Sequence, residues 1–232
     1  MKTEIIYEDN DILICRKPAG LPTQTARIGQ VDMVSELKNY LAKTKSAEVS
    51  KKEPYLAVIH RLDQPVEGLL VFGKNPAAAK ILSQNLQSGN LHKKYYAICY
   101  NQPLVEEGML EDYMIKDAKT SMAKIVSSNE EGAKKAVLRY KMLAAKEGKA
   151  LYDVEIETGR FHQIRAQMAH AQMPLLGDQK YADEKTKEFS KQQGIRNVAL
   201  CAYELKITHP KTKQKMSFVI QPEGEAFAPF FE

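Results

Sequence analysis

The strongest constraint in this sequence is a period-two hydrophobic alternation that recurs through its second half. Leu138, Tyr140 and Met142 form one apolar row, Tyr152, Val154 and Ile156 a second, Tyr203, Leu205 and Ile207 a third, and Met216, Phe218 and Ile220 a fourth. Side chains of a strand alternate between faces, so each row is one apolar face backed by a polar one. Strands of that kind belong to antiparallel or mixed sheets, since all-parallel strands are apolar throughout. His209-Pro210-Lys211-Thr212-Lys213, between the last two rows, predicts a hairpin connection.

The first half adds strands and helices. Ile5-Ile6-Tyr7-Glu8 and Ile12-Leu13-Ile14-Cys15 read as strands joined by the turn-forming Asp9-Asn10-Asp11. Val31, Val34, Leu37 and Leu41 recur at helical spacing, and Ala42–Pro54, carrying Lys43, Lys45, Lys51 and Lys52, reads as a solvated loop. Asn75 to Gly89 has a helix's punctuation: Asn75 as N-cap, Pro76 at the first helical position, Ala79, Leu82 and Leu86 on one face, and Gly89 at the stop. Phe161, Ile164 and Met168 suggest a short helix after Thr158-Gly159-Arg160. The expected class is α+β, strand-rich, with a few helices packed on the sheet.

Composition excludes several classes. The 232 residues are 44% apolar and 27% charged with a mean hydropathy of −0.43, without a collagen, coiled-coil or disorder signature. No apolar run approaches the roughly 18 residues of a membrane span, and the N-terminus lacks a signal peptide's apolar stretch, which points to the cytoplasm. Cys15, Cys99 and Cys201 are too few and too far apart for a disulfide framework or zinc knuckle, and are expected as buried, reduced thiols. Lys and Arg number 34 against 29 for Asp and Glu, a net charge of +5 that admits a polyanionic partner. Neither Gly-x-x-x-x-Gly-Lys-Ser/Thr nor Gly-x-Gly-x-x-Gly occurs, so nucleotide hydrolysis and dinucleotide redox chemistry lack their phosphate cradle. The five histidines show no ligand spacing with acids or cysteines, and no metal site is expected.

Polar residues able to do chemistry gather in three segments. His60-Arg61-Leu62-Asp63 follows an apolar strand (Leu56, Val58, Ile59) and precedes Gln64-Pro65-Val66-Glu67-Gly68 and a second strand, Leu69-Leu70-Val71-Phe72. A carboxylate at such a junction is held on rigid backbone and presented at an edge, as a catalytic residue must be; capping the turn at Pro65 is its other use. His92-Lys93-Lys94-Tyr95-Tyr96-Ala97 enters the strand Ile98-Cys99-Tyr100, so the two tyrosines face opposite sides, one for the core and one for a cleft where a base could stack beside lysines. In Thr158-Gly159-Arg160-Phe161-His162-Gln163-Ile164-Arg165, Thr158 is expected to cap the helix, with His162 and Arg165 on one face. Cations at a helix start oppose the macrodipole, so an anion is expected to meet them, either a carboxylate of this chain or a phosphate; a plain surface helix is the alternative.

In order along the chain stand Tyr7-Glu8-Asp9, Lys17-Pro18-Ala19-Gly20-Leu21-Pro22, His60-Arg61-Leu62-Asp63 with Gly68-Leu69-Leu70, and Lys93-x-Tyr95-x-Ala97. Thr158-Gly159-Arg160-x-His162-Gln163-Ile164-Arg165, Pro174-Leu175-x-Gly177-Asp178-x-x-Tyr181 and Thr208-His209-Pro210 follow. Together they resemble the RluA-type family of RNA pseudouridine synthases. The resemblance implies one catalytic domain over 1–232 and a mixed, largely antiparallel bent sheet with packed helices; because the sequence starts at the first strand of that domain, the small S4 RNA-binding domain that many relatives carry is not expected. It implies an isomerisation in which the uracil N1 to C1′ bond is cut, the base turns while held, and C5 is joined to C1′. Asp63 matches the family's catalytic aspartate, Tyr95 the residue that stacks on the base and is a candidate for moving a proton, and Arg165 the basic residue that pairs with the aspartate. Arg61 matches a residue that fills the space a flipped nucleotide leaves, and His60, Lys93, Arg160, His162, Gln163 and Ile164 complete the expected RNA-binding set.

These residue types suit that chemistry. Cleaving a nucleoside bond builds positive charge at C1′, so a preplaced ionised carboxylate stabilises the transition state, and a guanidinium nearby offsets the effect of burial on its pKa. A paired base must leave the stack, which costs a few kcal/mol and favours a side chain that fills the gap. No bond to oxygen or phosphorus is made, so no cofactor or metal is expected; the expected partner is ribosomal or transfer RNA, bound by a monomer. Four residues depart from the family: Val66-Glu67 where Ser or Thr is common, Gln167 in place of a histidine, and Gln172 in place of a glycine. A carboxylate at Glu67 is expected to repel RNA phosphate. The competing functions are a catalytically silent RNA-binding module or RNA chaperone using the same basic cleft, and a nucleoside glycosidase that stops after bond cleavage.

Overall fold

A computed structural model describes residues 2–27, 29–44, 53–100 and 106–231. Its elements, in chain order, are β1 (Glu4–Glu8), β2 (Ile12–Lys17), α1 (Met33–Thr44), β3 (Ala57–Val58), β4 (Glu67–Gly73), α2 (Pro76–Gln87), β5 (His92–Tyr100) and β6 (Glu107–Asp117). There follow β7 (Met122–Val126), β8 (Lys134–Lys146), β9 (Lys149–Ile156), α3 (Gln163–His170), α4 (Glu184–Gln192), β10 (Leu200–Thr208), β11 (Lys215–Val219) and α5 (Ala228–Phe231). The class is α+β, and every pairing whose register is defined is antiparallel. Two compact units make up the chain: Met1–His92 with Ala202–Ile220, and Lys93–Cys201 with Gln221–Glu232.

In the first unit the strand order is β1-β2-β4-β10, with β11 on β10 and β3 on β4. β4 is buried along its whole length, which its unbroken apolar run Leu69–Phe72 demands. Gly68 holds a positive φ of 134°, and a Cβ there would lie 2.4 Å from the Ala202 backbone nitrogen, so only glycine lets β4 pass this close to β10. The punctuation of α2 is as the sequence predicts: the Asn75 side chain accepts the Ala78 N–H, Pro76 opens the helix, and Gly89 leaves it at φ 75°. α1 starts later than its periodicity suggests, because Asp32 accepts the Ser35 N–H at 2.8 Å and leaves Val31 outside. It also runs on to Thr44, into the expected lysine-rich loop, whose residues 45–52 lie outside those described.

The predicted turn and hairpin of this unit meet. Asp9 Oδ1 accepts the Asp11 and Ile12 N–H groups, both at 2.8 Å, and Oδ2 accepts from the Tyr7 hydroxyl at 3.0 Å. His209 Nδ1 accepts the N–H groups of Lys211 and Thr212, so its Nε2–H is the donor to Asp9 Oδ2 at 2.8 Å.

In the second unit the order is β5-β9-β8-β6-β7. The β6–β7 hairpin and α4 carry no expectation from the sequence, since charged residues interrupt their apolar rows. Met114, Ala123 and Ala136 of this sheet pack with Ala166 of α3, flanked by Ile125 and Tyr181. The Tyr181 hydroxyl accepts the Ala123 N–H of the edge strand β7 at 2.6 Å, and Lys180 Nζ donates to Ser121 O at 2.8 Å. Gly177, at φ 73°, has no room for a Cβ, which would fall 1.9 Å from Asn197 O. All three cysteines are buried, and none forms a disulfide among the described residues. Among the described residues no helix is long and apolar enough to cross a membrane.

Candidate active site

In the first unit Asp63 lies in a loop beyond the short β3, not at the end of a longer strand, and its carbonyl accepts the Val66 N–H at 3.1 Å. The segment 17–23 holds this loop. Thr23 Oγ1 donates to Leu62 O at 3.0 Å and accepts the Leu62 N–H at 3.3 Å. The Gly20 N–H donates to Gln64 O at 2.8 Å, and Gln64 Nε2 to Gly20 O at 3.0 Å. Lys17 is fully buried and donates its ammonium to the carbonyls of Pro18, Leu21 and Gln64 at 3.0, 2.7 and 2.9 Å. Burial pushes that ammonium down to about 7, against the pull of the Asp63 and Glu67 carboxylates. The Lys17-Pro18-Ala19-Gly20-Leu21-Pro22 motif thereby fixes the backbone that presents Asp63.

Other expectations for this loop divide. Asp63 is half-buried and Arg61 exposed. His60 is turned inward at 7% exposure, with Nε2 accepting the Val71 N–H at 3.4 Å, so it serves the core. Glu67, expected to repel phosphate, is 5% exposed and faces the Lys17 charge.

In the second unit Tyr95 and Tyr96 take opposite faces of β5, as alternation requires. Tyr95 is 6% exposed and stands opposite Val154, while Tyr96 stands opposite Asp153 and packs on Phe231 at 5.1 Å. Lys93 shares the Tyr95 face; burial pulls its ammonium down to about 8, and no carboxylate among the described residues opposes the shift.

α3 departs from expectation at its start. Thr158 does not cap it: its hydroxyl accepts the Val137 N–H at 2.9 Å and donates to Gln163 Oε1 at 2.8 Å. The chain enters α3 through His162, at a left-handed φ of 52° and without a side-chain cap, so Phe161 lies outside the helix. Gln163 Oε1 also accepts the Arg160 N–H at 2.9 Å and its Nε2 donates to Val137 O at 3.0 Å, which commits Gln163 to the loop. Six consecutive residues, Gln163–Met168, are buried, so α3 is no surface helix and Ile164 is a packing residue.

The anion expected near these cations is a carboxylate of the chain itself. Arg165, 3% exposed, donates Nε and Nη2 to Asp178 Oδ2 and Oδ1 at 2.7 and 2.8 Å. Asp178 Oδ1 also accepts the N–H groups of Lys180 and Tyr181 at 2.9 and 3.2 Å. Asp178 was missed as a partner because it lies 13 residues downstream; the Gly177-Asp178-x-x-Tyr181 motif is its only trace in the sequence. From this pair a column of side chains leads outward. The Arg165 guanidinium lies 5.2 Å from the Tyr181 ring, and the Tyr181 ring stands edge-on to His162 with its hydroxyl 2.8 Å from Nδ1. His162 stacks on Phe161 at 3.8 Å, and Lys116 Nζ sits 4.6 Å above the Phe161 ring. Arg160 is exposed, its Nε on Lys135 O at 2.8 Å.

Two departures from the family pattern have visible local settings. Gln167 is fully buried and donates to Asp112 Oδ2 at 2.7 Å and to the carbonyls of Leu110 and Ala136, tying α3 to the sheet. Gln172 takes the left-handed φ of 61° that a glycine would adopt without strain.

The family model described as RNA pseudouridylate synthase matches residues 11–170. An uncharacterized RNA pseudouridine synthase of Bacillus subtilis, YhcT, is 32% identical over 213 residues, covering 91% of this chain but only 66% of its own length. The tRNA pseudouridine synthase C of Haemophilus ducreyi is 29% identical over 229 residues, 94% of this chain and 90% of that protein. Among solved structures, human RNA pseudouridylate synthase domain containing 4 matches with a TM-score of 0.77 at 23% identity, covering 97% of this chain and 92% of that one, a likeness of fold.

Proposed function

Because this chain belongs to the RluA-type family of RNA pseudouridine synthases, we propose that it isomerises specific uridines of ribosomal or transfer RNA to pseudouridine with Asp63 as the catalytic carboxylate. The observation that carries the assignment of Asp63 is its loop, clamped by Lys17, Gly20 and Thr23 through backbone hydrogen bonds. A carboxylate on so constrained a backbone needs no reorganisation as positive charge develops at C1′. Tyr95 and Arg165 are the further catalytic residues of this reading, and Arg61, Lys93, Arg160 and His162 its RNA contacts. It takes 1–232 as one catalytic domain, acting as a cytoplasmic monomer without cofactor or metal.

The chemistry assigns each role a physical task. The Asp63 carboxylate stabilises or attacks C1′ as the N1 bond breaks, and the aromatic face of Tyr95 holds the detached uracil while it turns. Joining C5 to C1′ leaves a proton on C5 that must be removed, and N1 gains one, so the reaction is neutral overall. The Tyr95 hydroxyl is the candidate carrier of the C5 proton.

Asp63→Asn keeps the shape and deletes the charge. With RNA from cells lacking the gene, the variant should form no pseudouridine and release no tritium from C5-labelled uridine, while binding RNA with near-wild-type affinity. Substantial turnover by the variant removes Asp63 from the mechanism. Wild-type protein that binds the RNA without forming pseudouridine supports the silent binding module, and release of free uracil supports the glycosidase.

A further inference from the structure

Outside the catalytic roles, the second unit holds an exposed aromatic side chain that no step of the reaction uses. Phe161 is a large aromatic side chain left 37% exposed, next to a loop whose other members are fixed by hydrogen bonds. Its inner face lies on the His162 imidazole at 3.8 Å and an interplanar angle of 21°. That imidazole is held by the Tyr181 hydroxyl, which is itself held by the Ala123 N–H. The ring is therefore ordered before any ligand arrives and loses little conformational freedom on contact. Its outer face bears the ammonium of Lys116, an exposed side chain on β6. A cation over a ring at an exposed site is a weak contact, readily exchanged for a stacked base.

We propose that Phe161 is a stacking platform for an unpaired base of the substrate RNA next to the target uridine, and that Lys116 leaves the ring to meet a phosphate of the same strand. This rests on the RNA reading above and deepens it. A base on the outer face of Phe161 extends the column Asp178, Arg165, Tyr181, His162, Phe161, so its position is tied mechanically to buried Arg165. Arg160, exposed beside Phe161, supplies a second cation for the strand. Stacking tolerates any base, whereas the ammonium requires the backbone charge, so the two residues have separable signatures.

The test uses the full chain with two fluorescein-labelled probes of equal length, oligouridylate and an abasic ribose-phosphate oligomer, and thermal melts to establish folding. Phe161→Ala should weaken oligouridylate binding by at least about fivefold and leave the abasic oligomer unchanged, with Phe161→Tyr restoring the wild-type value. Lys116→Gln should weaken both probes and lower the slope of log affinity against log salt by about one. The chain has no tryptophan, so Phe161→Trp gives a single emitter that oligouridylate should quench and the abasic oligomer should not. Equal affinity of Phe161→Ala and wild type for oligouridylate, equal losses on both probes, or unquenched Trp emission in a saturated complex each overturn the platform. Wild-type protein that binds neither probe overturns the RNA reading itself.

Discussion

Substituting Asp178 by Asn changes one oxygen to an NH2 group in a site that has no exposure to absorb the change. Oδ1 of Asp178 receives three N–H groups, from Arg165 Nη2, Lys180 and Tyr181, and Oδ2 receives Arg165 Nε. The amide keeps the oxygen where three donors converge, which turns its own N–H groups toward Arg165 Nε. The short 2.7 Å bond becomes a donor facing a donor, and the guanidinium loses the charge of the Asp178 carboxylate. Removing one partner of a buried ion pair costs about 3–5 kcal/mol, and the retained neutral acceptor places this variant near 3 kcal/mol. Against a typical total of about 5–15 kcal/mol, urea unfolding should show a clearly lowered midpoint. An Arg165→Met, Asp178→Asn double variant should lose less than the sum of the two single losses, because no buried cation is then left without Asp178. A midpoint within experimental error of wild type, or strictly additive losses, would refute the inference that Asp178 holds Arg165.

Lys93 yields a pH prediction. Its folded-state pKa of about 8 lies below the ordinary 10.5, so between those values the unfolded chain binds the extra proton and stability from this group rises with pH. Lys93→Met should be more stable than wild type at neutral pH, with the advantage shrinking from about pH 8 to 10.5; a pH-independent difference contradicts burial as the cause. Tyr95→Phe preserves the ring and deletes the hydroxyl. Isomerisation should fall strongly with RNA affinity preserved if the hydroxyl moves the C5 proton, and a wild-type rate would reduce Tyr95 to a platform.

The sequence carried the parts of this fold whose signals are local. Asn75, Pro76 and Gly89 mark α2 because capping and helix exit depend on neighbours within one turn. The alternating rows mark β8 to β11 because a strand records its two faces in every residue. Thr158 shows where local reasoning ends: a hydroxyl before a helix reads as a cap, yet a strand 21 residues upstream offers Val137 and takes it. Glu67 is similar, since nothing near it in sequence announces that Lys17 lies beside it. Asp63, Tyr95 and Arg165 stand out locally as chemistry-bearing residues, but their roles came only from the motifs, and the contacts that hold the Asp63 loop and Arg165 run from Lys17 and Asp178, across distances that periodicity does not encode.

The first unit is encoded in two pieces, and that has a consequence during synthesis. Strand β10, the neighbour of β4, begins at Leu200, with 126 residues between it and the end of β4 at Gly73. At ribosomal rates of 5–20 residues per second, about 6–25 s separate the emergence of β4 from that of its partner. Through that interval the edge of β4, apart from the two-residue pairing with β3, offers unpaired backbone flanked by Leu69, Leu70, Val71 and Phe72. The strands β5 to β9 of the second unit are contiguous and pair as they appear. The strands β5 to β9 can therefore pair among themselves while β4 still awaits β10, and that interval is when its apolar edge is exposed to aggregation.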